Sequence, residues 1–426
     1  MEGEISKKRN VLLLGAGAAI SWGGPSTSQV TDLILGRLEP DTARNTDLNF
    51  TNLIYNFLHI KYSQDPTYKE AKINFEDIIN VVEELILFYY EEEKEGGKHI
   101  LPHFFDIKPD FKRDLEACFK NEETIYENLL GSLRDIFSSI SSRVHRYSWH
   151  YSDANFKILP CEQHIDLCGR NERSYLIGLF HSWAIKIGLD QSFIRAYTLN
   201  YDKLYKVLFE DFLNRICETG AEIFEGFKNN SPLARDIIFK RNQHCHFNLH
   251  GSIYWHPIEK NTQALPDSHF IIDNAPYSRS EGGTSMVELE QGKPFLNSNI
   301  IAGFKKMQRS FISPFKQMHA SFEMDCLDGD EIYIIGYSFS DLHINAGLKS
   351  ALAENQKLKI YIIDPSFTKD SFRKLVTEVF PVLYKEERFV NGENQGIRIP
   401  HEYLDKKINI YPLTFEQYLK FENGLV

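Results

Sequence analysis

The chain has 426 residues, 42% of them hydrophobic and 25% charged, with a formal net charge of −11. An apolar content of that size excludes wholesale disorder, and the acidic balance argues against broad phosphate-backbone binding as the main activity. A small-molecule enzyme or an assembly subunit fits better. The six cysteines, Cys118, Cys161, Cys168, Cys217, Cys245 and Cys326, form no C-x-x-C pair. They read as reduced, mostly buried thiols of a cytoplasmic protein, without the paired ligands of a structural zinc ribbon. No apolar run is long enough to span a bilayer.

The N-terminal run KKRN-VLLLGAGAAI imitates a secretory signal. It reads instead as a first strand buried on both faces, because Val11–Leu14 is continuously apolar and ends in Gly15-Ala16-Gly17. Pro25, Ser26 and Thr27 lead into a helical pattern over Gln29–Leu38. From about Asp47 to Leu189 helical periods dominate: Asn74–Tyr90 carries a broad apolar stripe, and Glu123–Ser141 and Ser174–Ile187 are further examples. Strand patterns return at Phe193–Leu199, Cys245–Leu249, Glu331–Ile335, Lys359–Ile363 and Ile408–Tyr411. Helical patterns follow at Lys203–Leu213, Ile344–Ala353 and Asp370–Val379. Pro257–Asn299, with Gly282-Gly283 and many Ser and Asn, reads as loop.

This alternation predicts an α/β fold: a Rossmann-like parallel sheet with helices on both faces and a large, mainly helical insertion. Residues 1–45 and 190–426 would form the sheet domain and 46–189 the insertion. The predicted strands other than Ile408–Tyr411 end in a small or polar cluster. Ligands of open parallel sheets bind at the carboxyl ends of strands, so Gly15, Asn200, His250, Gly336 and Asp364 should surround one crevice.

The individual clusters leave alternatives open. Gly15-Ala16-Gly17 suits close approach of a phosphate to the backbone, or a tight turn without a ligand. The full dinucleotide fingerprint would need a glycine where Ile20 stands. Asp202 is a candidate site residue or a helix N-cap. His244, His246, Asn248 and His250 share one face of a strand. His250 is a candidate base or a core histidine, and a metal site is disfavoured because alternation turns Cys245 to the other face.

In their order along the chain these segments resemble the Sir2 superfamily. The stretch from Gly15-Ala16-Gly17 through Ser21 to Pro25-Ser26 resembles its opening loop, and Thr198–Asp202 its Thr-x-Asn-[Tyr/Ile]-Asp segment. His250-Gly251 resembles its His-Gly pair, and Gly336-Tyr337-Ser338-Phe339-Ser340-Asp341 the Gly-Tyr-Ser-x-x-Asp form of bacterial Sir2-like proteins. Three features depart from the deacetylase branch: Ala19 replaces the usual Ser, and both the paired-cysteine zinc module and the Asp-Phe-Arg continuation of the first loop are missing. What remains resembles the bacterial anti-phage branch, whose members hydrolyse NAD.

The resemblance implies an NAD+ glycohydrolase that releases nicotinamide and ADP-ribose, with NAD+ as substrate and no zinc. Asn200 and His250 would be catalytic. Gly15, Ala16, Gly17, Ser21, Pro25, Asn200, Asp202, Gly336, Ser338, Asp341 and Asp364 would bind the nucleotide. The architecture is most similar to the Sir2 subunit of Sir2–HerA systems, which implies a homo-oligomer with a HerA-type ATPase partner, no membrane association, and nucleic acid met only through the partner. A protein deacylase using the same site and a non-catalytic nucleotide-binding module are the other classes.

Overall fold

The computed structural model describes residues 8–37, 49–64, 72–93, 108–119, 124–148, 170–215, 217, 222–229, 231–258, 271–274, 284–288, 294–303, 306, 312–381, 383, 401–403 and 407–425. Cys161, Cys168, Glu123, Leu38 and parts of the 257–299 stretch lie outside them. The chain divides into two compact units, one of Met1–Gly24, Arg146–Ser252 and Ser310–Val426, the other of Pro25–His145 and Ile253–Arg309. The sequence pattern alone places the boundaries at 45/46 and 189/190.

The first unit holds a seven-stranded sheet. Its strands are β1 (Arg9–Leu14), β2 (Phe193–Thr198), β3 (Cys245–Asn248), β4 (Glu331–Ile335), β5 (Lys359–Ile363), β6 (His401–Tyr403) and β7 (Ile408–Tyr411). They lie in the order β6-β7-β5-β4-β1-β2-β3. Every pair is parallel except β6 with β7. The edge strand β6 has only three residues, too few to leave a period in the sequence. The central strand explains the apolar opening: Val11, Leu12, Leu13 and Leu14 are all buried, as a strand covered on both faces requires.

Helices cover both faces of this sheet. On one side lie α2 (Arg170–Lys186), α3 (Leu204–Arg215) and α7 (Phe415–Glu422). Trp183 of α2 meets Tyr333, Phe415 and Tyr418 edge-on, and Phe180 packs on Trp22, Tyr205 and Phe209. These aromatic anchors seat α2 in the sheet unit. On the other side α4 (Phe315–Asp328) sets Phe322 against Tyr197 and Asp325 against Arg195 at 2.5 Å. There α5 (Leu342–Glu354) lies on α4, with Gly347 against the Phe322 ring, and α6 (Asp370–Val379) presents Phe372 to Phe339. A one-turn helix, α1 (Ala16–Ile20), follows β1 directly.

The second unit contains the helices Thr27–Ile34, Asn49–Gln64, Phe75–Glu93 and Pro109–Cys118. The first begins before the predicted Gln29 because Ser26 and Gln29 form a reciprocal capping box. Two antiparallel strand pairs, Trp255–Ile258 with Ile271–Asn274 and Thr284–Glu288 with Pro294–Ser298, occupy the stretch read as loop. Short alternating segments such as Ser285-Met286-Val287 are easily hidden among Ser, Asn and Gly. Among the described residues no helix is long and apolar enough to cross a membrane.

Because the chain runs outward from β1 through β2 and β3, then returns beside β1 at β4, the reversal point of the sheet lies between β1 and β4. There three glycines interlock. The Gly15 N–H donates to Ile335 O at 2.9 Å and the Gly17 N–H to Gly336 O at 3.0 Å. A Cβ on Gly17 would lie 2.7 Å from Gly336 Cα, and Gly336 itself has φ of +61°. Gly336→Ala therefore has both a backbone collision and an unfavourable dihedral to absorb. It is expected to cost about 3 kcal/mol or more, read as a lowered urea midpoint. A change within about 0.5 kcal/mol, the range of surface substitutions, would contradict the interlock.

Candidate functional site

The interlock lies at the carboxyl ends of the central strands, and the end of β2 lies next to it. The Thr198 hydroxyl donates to Leu14 O at 3.3 Å and accepts from the Asn200 N–H at 3.0 Å. The Asn200 Nδ2 then donates to Gly15 O at 3.1 Å. Asn200 is thereby tied to the glycine loop, with its Oδ1 left, among the described residues, for a ligand. From β3, Asn248 places its Nδ2 2.9 Å from both Asn200 O and Asp202 O, clamping the turn by its two hydrogens. The Gly15 and Gly17 amides face the carbonyls of Ile335 and Gly336. The loop's contribution is thus the absence of side chains, which lets a ligand approach the backbone.

Both carboxylate oxygens of Asp202 have protein partners. Its Oδ1 accepts from the Leu204 N–H at 2.7 Å, capping α3, and its Oδ2 accepts from the Tyr147 hydroxyl. Burial raises its carboxyl, opposed by those two hydrogen bonds. The N-cap alternative describes its geometry. A buried ion cluster follows it in the chain. Lys203 pairs with Glu225 at 2.9 Å, and Lys206 with Glu210 at 2.9 Å and with Glu225 at 3.7 Å. Burial alone would raise the Glu225 carboxyl, but Lys203 and Lys206 outweigh it and hold it down to about 2. His246 lies in the same electrostatic field, and burial pulls its ring down to about 4.

His250 follows β3 and is 3% accessible, so a substrate reaching it must displace chain that covers it. Its Nε2 lies 3.8 Å from Asp341 Oδ1. Those residues belong to the far ends of a four-strand span, β4-β1-β2-β3, roughly 14 Å at the usual strand spacing. The 336–341 loop therefore crosses the strand ends. It is held by the Tyr337 hydroxyl, which donates to Asn345 Oδ1 at 2.9 Å, and by the Asn345 Nδ2 on Phe339 O at 2.9 Å. Within it Ser338 is exposed and its hydroxyl lies 2.8 Å from that of Ser340.

No protein-family model and no curated protein sequence matches this chain. The site is therefore read from its own geometry. Gly15, Ala16, Gly17, Asn200, Asp202, His250, Gly336, Ser338 and Asp341 come together at the ends of β1 to β4. Asp364 ends β5 and caps the following turn through the Ser366 N–H at 2.7 Å. Ser21 closes α1, and Pro25 belongs to the second unit. Cys245 faces Arg195 and Asp325, away from His246, and burial raises its thiol to about 12. Among the described residues no group of three or more His, Cys, Asp or Glu is arranged to hold a metal ion.

Four participants escape a sequence reading. Asn248 was visible on the His250 face but had no motif. Tyr147, His319 and His343 come from helices remote in sequence. His319 of α4 lies with its Nε2 3.1 Å from Leu249 O and its ring 4.8 Å from that of His343. Burial, with His343 beside it, pulls the His319 ring down to about 3.

Removing the clamp by Asn248→Ala is expected to cost about 1–3 kcal/mol, because the buried Asp202 carbonyl and the half-buried Asn200 carbonyl lose a donor. Chemical denaturation reads the loss, and an unchanged midpoint would contradict the clamp. Glu225 has a defined pH signature. Its folded pKa lies below the unfolded value, so its stabilisation is complete above about pH 4.5 and lost as pH falls toward 2. Glu225→Gln should cost about 3–5 kcal/mol at neutral pH, and thermal melts should show that gap narrowing below pH 4.5. A gap that stays constant down to pH 2.5 would exclude the pairing.

Proposed function

We propose that the strand-end crevice of the sheet unit binds NAD+ and hydrolyses its nicotinamide–ribose bond. The observation that carries this reading is the Asn200 side chain bonded to Gly15 O at the reversal point, with His250 at the end of the next strand. A dinucleotide needs a thin backbone floor for its diphosphate, and the Gly15–Gly17–Gly336 interlock supplies one. It also needs polar groups at the reacting ribose, and Asn200 Oδ1 and the His250 imidazole are of that kind. The motif resemblance to the Sir2 superfamily points to the same residues.

The chemistry asks little of the protein beyond placement. The leaving pyridinium takes the electron pair of the breaking C–N bond and departs as neutral nicotinamide, so no general acid is required. Water attacks the ribose carbon of an oxocarbenium-like transition state, and its proton passes to His250 directly or through a ribose hydroxyl. An imidazole titrates near neutrality, which suits that task. Asn200 orients the ribose hydroxyls and the water. Ser338, exposed on its loop, and Asp364 lie toward the adenosine half.

The resemblance also supports a setting: bacterial anti-phage defence by NAD depletion, in a homo-oligomer that works with a HerA-type ATPase. An enzyme that destroys NAD+ requires gating, and assembly provides it. A chain that stays monomeric at micromolar concentration and hydrolyses NAD+ at full rate alone would contradict this mode of control.

Chromatography of NAD+ incubated with the protein and its partner tests the activity. Nicotinamide and ADP-ribose should accumulate without any acyl-lysine peptide, and His250→Ala and Asn200→Ala should each reduce the rate by about 10²-fold or more. Consumption that depends on an acetyl-lysine peptide, or full activity in the His250 variant, would overturn the reading.

A further inference from the structure

Phe339 is buried, yet its backbone has φ of +58°. A bulky L-residue is a genuine outlier in that region, which belongs mainly to glycine and asparagine. The surroundings over-determine the conformation. The Phe339 ring packs on Tyr337, Phe372 and Phe380, with centroids 4.9, 5.8 and 6.2 Å away. Its carbonyl accepts from the Asn345 Nδ2 at 2.9 Å, while the Asn345 Oδ1 accepts from the Tyr337 hydroxyl at 2.9 Å. One amide of α5 thus holds both Phe339 and the ring beside it. Outliers of this kind persist only where the fold enforces them, and they cluster at ligand-holding segments.

The side chains flanking Phe339 show what the kink produces. Ser338 and Ser340 are both exposed, and their hydroxyl oxygens lie 2.8 Å apart. An extended segment would hold the Cα atoms of such residues roughly 6.6 Å apart. With a left-handed residue between them the two hydroxyls converge instead. The pair also has a defined place in the fold. Gly336, two residues before Ser338, is the residue that meets Gly17 in the interlock.

We propose that the Ser338 and Ser340 hydroxyls together hold the vicinal diol of the adenosine ribose, and that Phe339 is their positioning residue. The proposal rests on the reading of the strand-end crevice as a dinucleotide site, and it adds Phe339 and Ser340 to that site. Each hydroxyl is both a donor and an acceptor. When one donates to the other, the pair keeps one free hydrogen and its remaining lone pairs. A ribose cis-diol carries the same pattern, with its two oxygens at a similar separation, so donors and acceptors match on both sides. A phosphate only accepts, and it would leave the serine lone pairs without donors. The pair therefore selects a free diol over a 2′-phosphorylated or 2′-deoxy ribose.

Titration calorimetry with ADP, which carries only the adenosine ribose, and with 2′-deoxy-ADP tests this without any need for turnover. Wild-type protein should bind ADP about 3- to 10-fold more tightly than 2′-deoxy-ADP, the worth of one hydrogen bond. Ser340→Ala, at an exposed position, should weaken ADP by a similar factor and lose the discrimination. Phe339→Gly tolerates the dihedral but lacks the anchoring ring, and should do the same; Phe339→Leu serves if the glycine variant folds poorly. Combined with Ser340→Ala, either change should add little, because both act through the same pair of hydroxyls. In the NAD+ assay these variants should raise KM more than they lower kcat. Discrimination retained in Ser340→Ala would overturn the proposal. An equal loss for both nucleotides in the Phe339 variants, additive with Ser340→Ala, would overturn the positioning role. Absence of ADP binding to the wild type would overturn the proposal, and the hydrolase reading falls with it only if NAD+ is not consumed either. If Ser340→Ala abolishes the discrimination while NAD+ is not consumed, the diol site stands and the hydrolase reading fails.

Discussion

The close approach of two backbone turns, one after β1 and one after β4, is the constraint on which the rest of the first unit depends. Parallel strands that meet at a reversal point leave a gap at their carboxyl ends. Here the gap is narrowed until Gly17 and Gly336 touch through their main chains, with Gly336 in the left-handed region. Side chains are excluded from the floor, and the polar groups are displaced to its margins. Asn200 bonds to the floor through Gly15 O, and Asn248 bonds to the turn that carries Asn200. A sequence of short hydrogen bonds thus passes from β1 to β2 to β3.

Polar groups at the ends of buried strands carry a desolvation cost unless each has a partner. The protein meets this by layering. Asp202 closes α3 and takes the Tyr147 hydroxyl. Beneath it the two lysines and two glutamates are mutually paired, with Glu225 shared between Lys203 and Lys206. Such a cluster is poor evidence of net stability, since apolar packing of equal volume does as well. Its consequence is that removing one member leaves a buried charge without its partner. The 336–341 loop completes the enclosure by bringing Asp341 to His250.

Much of this was legible in the residues. The bounds of β4, β5 and β7 coincide with the apolar runs Glu331–Ile335, Lys359–Ile363 and Ile408–Tyr411, because strands buried on both faces leave uninterrupted apolar runs. The parallel sheet followed from their alternation with helical periods. Helix α1 was invisible, since five residues hold barely more than one turn. The strand-end positions of the candidate residues Gly15, Asn200 and His250 were legible. It was not legible where packing decides. Nothing local indicates that Gly336 would meet Gly17, that Tyr147 would reach Asp202, or that Asp341 would turn from its helix to His250. Asp202 shows that a polar residue at a strand end can also cap the following helix.

The central claim is that the interlocked turns and the Asn200 loop are the nucleotide-binding surface. Amide hydrogen exchange on the His250→Ala protein, which should leave NAD+ intact, addresses it directly. With saturating NAD+ the account predicts slowed exchange in the segments 15–18, 198–202 and 336–341. Unchanged exchange in all three, or protection confined to other parts of the chain, would contradict it.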